Sequence, residues 1–90
     1  MDKAIIGEIK DFINADKRTE LQEFFHELMD SEFDHPPDWP NIFQAVYIHA
    51  CLRKKREIAD WLKTLFTRFD PIQQIAFRQV FFYGEWLLKH

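Results

Sequence analysis

The chain holds 90 residues, room for one hydrophobic core and too few for two, since domains typically run to ~100–150 residues. Its 12 Lys and Arg stand against 15 Asp and Glu, a formal net charge of −3, so it lacks the basic surplus with which phosphate-backbone binders displace counterions. A hydrophobic fraction of 47% with 17% aromatics excludes a disordered chain, and 2 Gly with 4 Pro leave few turn residues for a multi-stranded sheet, so helices are expected.

Ile5, Ile6, Ile9, Phe12 and Ile13 recur at three- and four-residue spacing, with Glu8, Lys10, Asp11 and Asn14 on the other side, which predicts an amphipathic first helix with Asp2 placed to cap it. After a polar turn around 14–17, Leu21, Phe24, Phe25, Leu28 and Met29 repeat the pattern and predict a second helix over about 17–30. Three of the four prolines fall in 31–40, SEFDHPPDWP, where a helix cannot continue because Pro lacks the N–H and holds its predecessor extended. Phe33 and Trp39 are expected to anchor this connection, and Pro40 fits the first turn of a third helix entered through Asp38 or Trp39.

That third helix, about 41–53, carries Ile42, Ala45, Val46, His49 and Ala50 on one face and Phe43, Tyr47 and Cys51 on an adjoining stripe, so it is expected to be buried on more than one side. A fourth, about 56–68, carries Ile58, Trp61, Leu62, Leu65 and Phe69. Asp70-Pro71-Ile72-Gln73 reads as a capping box opening the last helix, with Asp at N-cap, Pro at N1 and Gln at N3. On a wheel of ~100° per residue, Ile72, Ile75, Ala76, Val80, Phe82, Tyr83, Trp86 and Leu87 form a broad apolar face of this helix, over about 71–89. Phe77, Phe81 and Leu88 form a second stripe, and Gln74, Arg78, Glu85 and Lys89 a narrow polar side. The fold expected is one all-α domain of about five helices over residues 1–90. Two antiparallel hairpins, about 3–30 and about 41–68, are joined by 31–40 and capped by the C-terminal helix in a helical-repeat-like bundle.

Sliding residues 46–65 back by 37 positions superposes Val46 on Ile9, Ala50 on Ile13, Lys54 on Lys17, Ile58 on Leu21 and Leu62 on Phe25, either a repeat or the common pattern of two amphipathic hairpins. The stretch Tyr47-Ile48-His49-Ala50-Cys51-Leu52 followed by Arg56-Glu57-Ile58-Ala59-Asp60-Trp61-Leu62-Lys63 resembles the helix–turn–helix part of an ankyrin repeat, in which a His-x-Ala helix precedes an Ile-x-x-x-Leu helix. The hairpin stack as a whole is similar to tetratricopeptide-like modules. Both resemblances imply a protein-binding scaffold with no catalytic residues of its own.

The residue chemistry points the same way. The single cysteine, Cys51, has no disulfide partner and no CxxC context, which predicts a reducing, cytoplasmic setting and a buried, inert thiol. His49 and Cys51 are two residues apart and so point ~200° apart on a helix, which makes a metal site there unexpected and leaves His49 as a helix-interface histidine bonded to a neighbour. Gly7 and Gly84 lack a phosphate-loop context, and no base or oxyanion donor accompanies Cys51. The carboxylates Asp30, Glu32, Asp34 and Asp38 read as a solvated acidic loop. No enzymatic activity, cofactor or small-molecule substrate is expected. No leader of signal-peptide length and no apolar run of the ~20 residues that span a bilayer occurs, so no membrane role is expected.

The aromatic count, 10 Phe with 3 Trp and 2 Tyr, exceeds ordinary core filling, and such residues are enriched at interface cores; the alternative is that a short chain uses bulky residues to gain burial. The contact site expected from the wheel is Phe77, Phe81 and Leu88, joined by Phe43 and Tyr47. The function expected is a small protein-interaction module of the adaptor, dedicated-chaperone or inhibitor and immunity type, binding a protein partner or its own copy as a homodimer. The alternative is a nucleic-acid-associated regulator in which hairpin 41–68 acts as a helix-turn-helix and the electrostatic patch Arg53, Lys54, Lys55 and Arg56 touches phosphates, a partner the net charge disfavours.

Overall fold

The computed structural model describes residues 2–90, with the side chain of residue 66 left out of the description. The protein is all-α: helices α1 (Asp2–Asn14), α2 (Arg18–Met29), α3 (Trp39–Leu52), α4 (Arg56–Thr64) and α5 (Pro71–Lys89), with a 3-10 turn over Leu65–Arg68 and no strand among the described residues. In α1 the buried side chains are Ile5, Ile9 and Ile13, one per turn, and Phe12 meets Phe24 of α2 edge to face at 5.5 Å. Leu21 and Phe25 complete the buried side of this pair.

The two hairpin turns are built alike. After α1 the Asp16 and Lys17 amides donate to the Ile13 and Phe12 carbonyls, and after α3 the Lys54 and Lys55 amides donate to Cys51 and Ala50. Both pairs are the two bonds of a Schellman motif, with Asp16 (φ 57°) and Lys54 (φ 59°) in the left-handed position that glycine usually fills. The offset between the turns is 38 residues rather than the 37 suggested by residue matching, and at 38 the buried Ile5, Ile9, Ile13 and Leu21 fall on the buried Phe43, Tyr47, Cys51 and Ala59. A shared turn type is enough to produce this coincidence.

The Pro-rich connection delivers the chain to α3, whose N-cap is Asp38, its carboxylate accepting the Asn41 amide at 3.3 Å, with Pro40 in the first turn. Helix α3 is the centre of the molecule, with α1, α4 and α5 all packed on it. Its Ile42, Phe43, Val46, Tyr47, Ala50 and Cys51 are all buried, as its apolar positions on two sides require. Phe25 ties the first hairpin to the second through the rings of Trp39 at 6.4 Å and Trp61 at 5.8 Å. Helix α4 is shorter than its apolar pattern. The Thr64 hydroxyl donates to the Trp61 carbonyl at 2.6 Å and the chain tightens into the 3-10 turn, which tucks Leu65 and Phe69 into the core. Asp70 then opens α5 with the expected capping box, its carboxylate accepting the Gln73 amide at 2.9 Å while the Gln73 side chain accepts the Asp70 amide at 3.4 Å.

Candidate functional site

The last helix decides what the surface offers. Mid-helix Gly84 is buried against α3, where an added Cβ would stand 2.5 Å from Tyr47 Cε1 and 2.9 Å from Cys51 Sγ. Only a residue without a side chain lets the two backbones come this close. That contact sets the rotation of α5 and turns Phe77, Leu87 and Gly84 inward. Phe77 meets Phe43 at 4.9 Å and Phe69 at 5.0 Å, and Phe81 meets Tyr47 edge to face at 5.2 Å.

The contact site expected from the sequence is therefore corrected. Phe77, Phe43 and Tyr47 are core residues, and Phe81 and Leu88 are half-buried against the same core. The broad apolar face, which a contact site at Phe77, Phe81 and Leu88 leaves to the core, is the exposed one: Ile72 is 82% exposed, Ile75 63%, Phe82 79%, Tyr83 53% and Trp86 56%. From that face Leu87 is buried and Val80 half-buried, because they border the Gly84 side. Apolar residues cover about two thirds of the α5 wheel, and periodicity alone does not say which part is covered. Gly84 lies between Phe77 and Val80 on the wheel, but a helical glycine is no sure sign of a close approach, since Gly7 in α1 is exposed with nothing within 4 Å of an added Cβ.

The exposed stripe is a continuous surface. Ile72, Ile75, Ala76, Gln79, Phe82, Tyr83 and Trp86 occupy about 120° of the helix and carry no charge. The Tyr83 and Trp86 rings stack at 6.4 Å, and the His90 ring stacks on Trp86 at 4.8 Å, so the C-terminal half presents a flat aromatic platform. Charged groups stand to one side. Glu85 accepts from Lys63 at 2.7 Å and from Arg56 at 3.5 Å, and these cations hold its carboxyl below the usual carboxylate range, the Lys63 hydrogen bond first among the causes.

The basic run of the second turn is partly spent within the chain. Lys54 Nζ donates to the Leu87 carbonyl, one of the unpaired carbonyls at the end of α5, and Arg56 joins Glu85. Arg68 reaches Asp30 at 3.1 Å, and Arg18 pairs with Glu57 across the two hairpins. The acidic loop is likewise engaged, with Asp38 as a helix cap and the Asp2 carboxylate accepting the Asp38 amide at 3.4 Å. A shallow open groove between this loop and the start of α1 is lined by Asp2, Lys3, Glu32, Phe33, Asp34, His35 and Pro36.

His49 is half-buried, its Nε2–H donating to Asn14 Oδ1 at 2.7 Å, and desolvation holds its pKa below the ordinary 6.5 with help from Lys10 and Arg53. Burial pushes the Cys51 thiol up, away from the thiolate a nucleophile needs. The Tyr47 hydroxyl is raised for the same reason, by desolvation first and then by the Cys51 thiol beside it, and it bonds no nitrogen or oxygen among the described residues. No group of three or more His, Cys, Asp or Glu among the described residues is arranged to hold a metal ion, and no helix among them is long and apolar enough to cross a membrane.

No protein-family model, no curated protein and no solved structure matches this chain. The functional reading rests on its own surface.

Proposed function

We propose that the protein is a protein-interaction module whose binding face is the exposed stripe of α5. The observation that carries this reading is the exposure of five large hydrophobic side chains on one helix face, centred on the Tyr83–Trp86 stack. Exposed apolar patches of more than a few hundred Å² are rare on monomeric proteins and mark interaction surfaces. Trp and Tyr are also the residues that dominate binding energy at interface centres. The nucleic-acid alternative has less support, because Lys54 and Arg56 are committed to α5.

The test is site-specific photocrosslinking in cells, with a photoreactive phenylalanine analogue at Phe82 and, as reference, the same group at Glu23 on the exposed side of α2. The reading expects discrete protein adducts from position 82 and none above background from position 23. Absence of adducts at 82, or equal yield at both positions, contradicts it.

A further inference from the structure

We propose that the occupant of this face is a second copy of the chain, paired antiparallel through α5 with the two-fold axis at Gln79. The proposal rests on the reading that the stripe is an interaction surface and adds what covers it.

The stripe is complementary to itself. A two-fold interface brings residue i against j and j against i. About Gln79 the exposed positions are symmetric, with Ile72 and Trp86 seven residues to either side, Ile75 and Tyr83 four, and Ala76 and Phe82 three. Each pairing sets a smaller aliphatic side chain of the N-terminal half against an aromatic ring of the C-terminal half. Large thus meets small in every layer, as interdigitated packing requires. A parallel pairing would instead stack ring on ring at one end and leave gaps between isoleucines at the other.

Gln79, exposed at the centre, is the one wholly polar side chain in the stripe, Tyr83 carrying a single hydroxyl on its ring. Its amide carries both donors and an acceptor, so two copies facing across the axis bond each other reciprocally, each NH₂ donating to the other's carbonyl oxygen. A single polar residue at a buried seam position is a known device for fixing register and orientation. The stripe holds no charge, so two chains of net charge −3 meet there without like charges in contact, and no oppositely charged partner is called for.

The area fits a second copy. At roughly 200 Å² per fully exposed ring, the exposures of Phe82, Tyr83 and Trp86 leave about 380 Å² on each copy. The two isoleucines raise this to about 470–550 Å², taking ~60–120 Å² for each side chain from its transfer energy. A pair therefore buries at most ~900–1,100 Å², around the threshold of about 1,000 Å² that a specific interface must clear. An area at that lower bound makes a dimer that dissociates on dilution.

The experiment is molar mass by light scattering across a wide concentration series, with cysteine crosslinking of the same chain. Cys51 is fully buried and stays out of the reaction. The proposal expects a mass rising from 11.0 kDa toward twice that value with concentration, and no rise for Phe82→Glu. Gln79→Cys is expected to form a covalent dimer with itself under mild oxidation. Ile75→Cys should crosslink to Tyr83→Cys in a mixture but not to itself, because its own copy lies about 12 Å away along the antiparallel helix, beyond the ~7 Å a disulfide reaches. A monomer at every concentration overturns the proposal. So does a dimer that survives Phe82→Glu, or one in which Ile75→Cys crosslinks to itself. If position 82 photocrosslinks exclusively to a different protein, self-pairing falls and the interaction reading stands; if it crosslinks to nothing, both fall.

Discussion

Replacing Gly84 by alanine sets helix propensity against packing, and the two predict opposite signs. In an exposed helix interior, Gly→Ala gains about 0.8–1 kcal/mol. At Gly84 the new methyl would stand 2.5 Å from Tyr47 Cε1 and 2.9 Å from both Tyr47 Cζ and Cys51 Sγ, where carbon atoms ordinarily rest ~3.5–4.0 Å apart. The ring cannot swing away, because Phe43 stacks on one side at 6.1 Å and Phe81 closes the other at 5.2 Å. Helices α3 and α5 must then separate. Overpacking of this kind costs about 1–3 kcal/mol, so the net effect after the propensity gain is a loss of about 0–2 kcal/mol. For a domain of this size that corresponds to a Tm lower by up to roughly 15 °C. Urea and thermal unfolding followed by helical circular dichroism measure it. Tyr47→Leu in the same chain should recover part of the loss, with a coupling of about 1 kcal/mol or more in the double-mutant cycle. A Gly84→Ala variant more stable than the parent would refute the close approach, and with it the rotation that exposes the other side of α5.

Further outcomes follow from the same geometry. Tyr47→Phe removes a buried hydroxyl that bonds no nitrogen or oxygen among the described residues and has the weakly accepting Cys51 sulfur beside it, and is expected to leave stability unchanged or raise it by about 1 kcal/mol in urea unfolding; a loss of about 1 kcal/mol or more would show that the contact with the sulfur is a stabilising hydrogen bond. Acidification should lower Tm. The depressed pKa of His49 means the unfolded chain binds the extra proton, so stability falls as pH drops below about 6.5 toward the lower folded value. The depressed Glu85 adds a second loss as pH falls from about 4.5 through its own lower folded value. A His49→Gln variant should show a flatter Tm profile between about pH 7 and pH 5, and an unchanged profile would remove His49 from the account. Asp70→Ala breaks the capping box and should cost about 1 kcal/mol by urea unfolding; no loss would mean the box is not formed.

What was legible in the sequence was local. Asp70, Pro71 and Gln73 announced the start of α5 because a capping box is a contact among near neighbours, and 31–40 announced the main connection because proline acts on its own backbone. Burial of α3 on more than one side was visible in its two apolar stripes. Helix α4 ends before its apolar spacing does, which continues through Leu65 and Phe69, because the chain tightens at Thr64, whose hydroxyl bonds back to the Trp61 carbonyl. Which side of α5 faces solvent was not legible. Phe77 and Phe82 are both aromatic members of a helix apolar around most of its circumference, and what separates them is a non-local fact, the fit of Gly84 against Tyr47.

One side of α5 builds the core, and the other is left over from folding. Comparing Phe77→Glu with Phe82→Glu in urea unfolding separates the two sides, at the lowest protein concentration that gives a signal, where any association contributes least. Phe77 is enclosed by Phe43, Phe69 and Phe81, and a carboxylate there lacks both space and solvent. Phe77→Glu is expected to fail to fold or to lose more than about 4 kcal/mol, while Phe82→Glu stays within about 0.5 kcal/mol of the parent. The reverse order, or equal losses at the two positions, would contradict it.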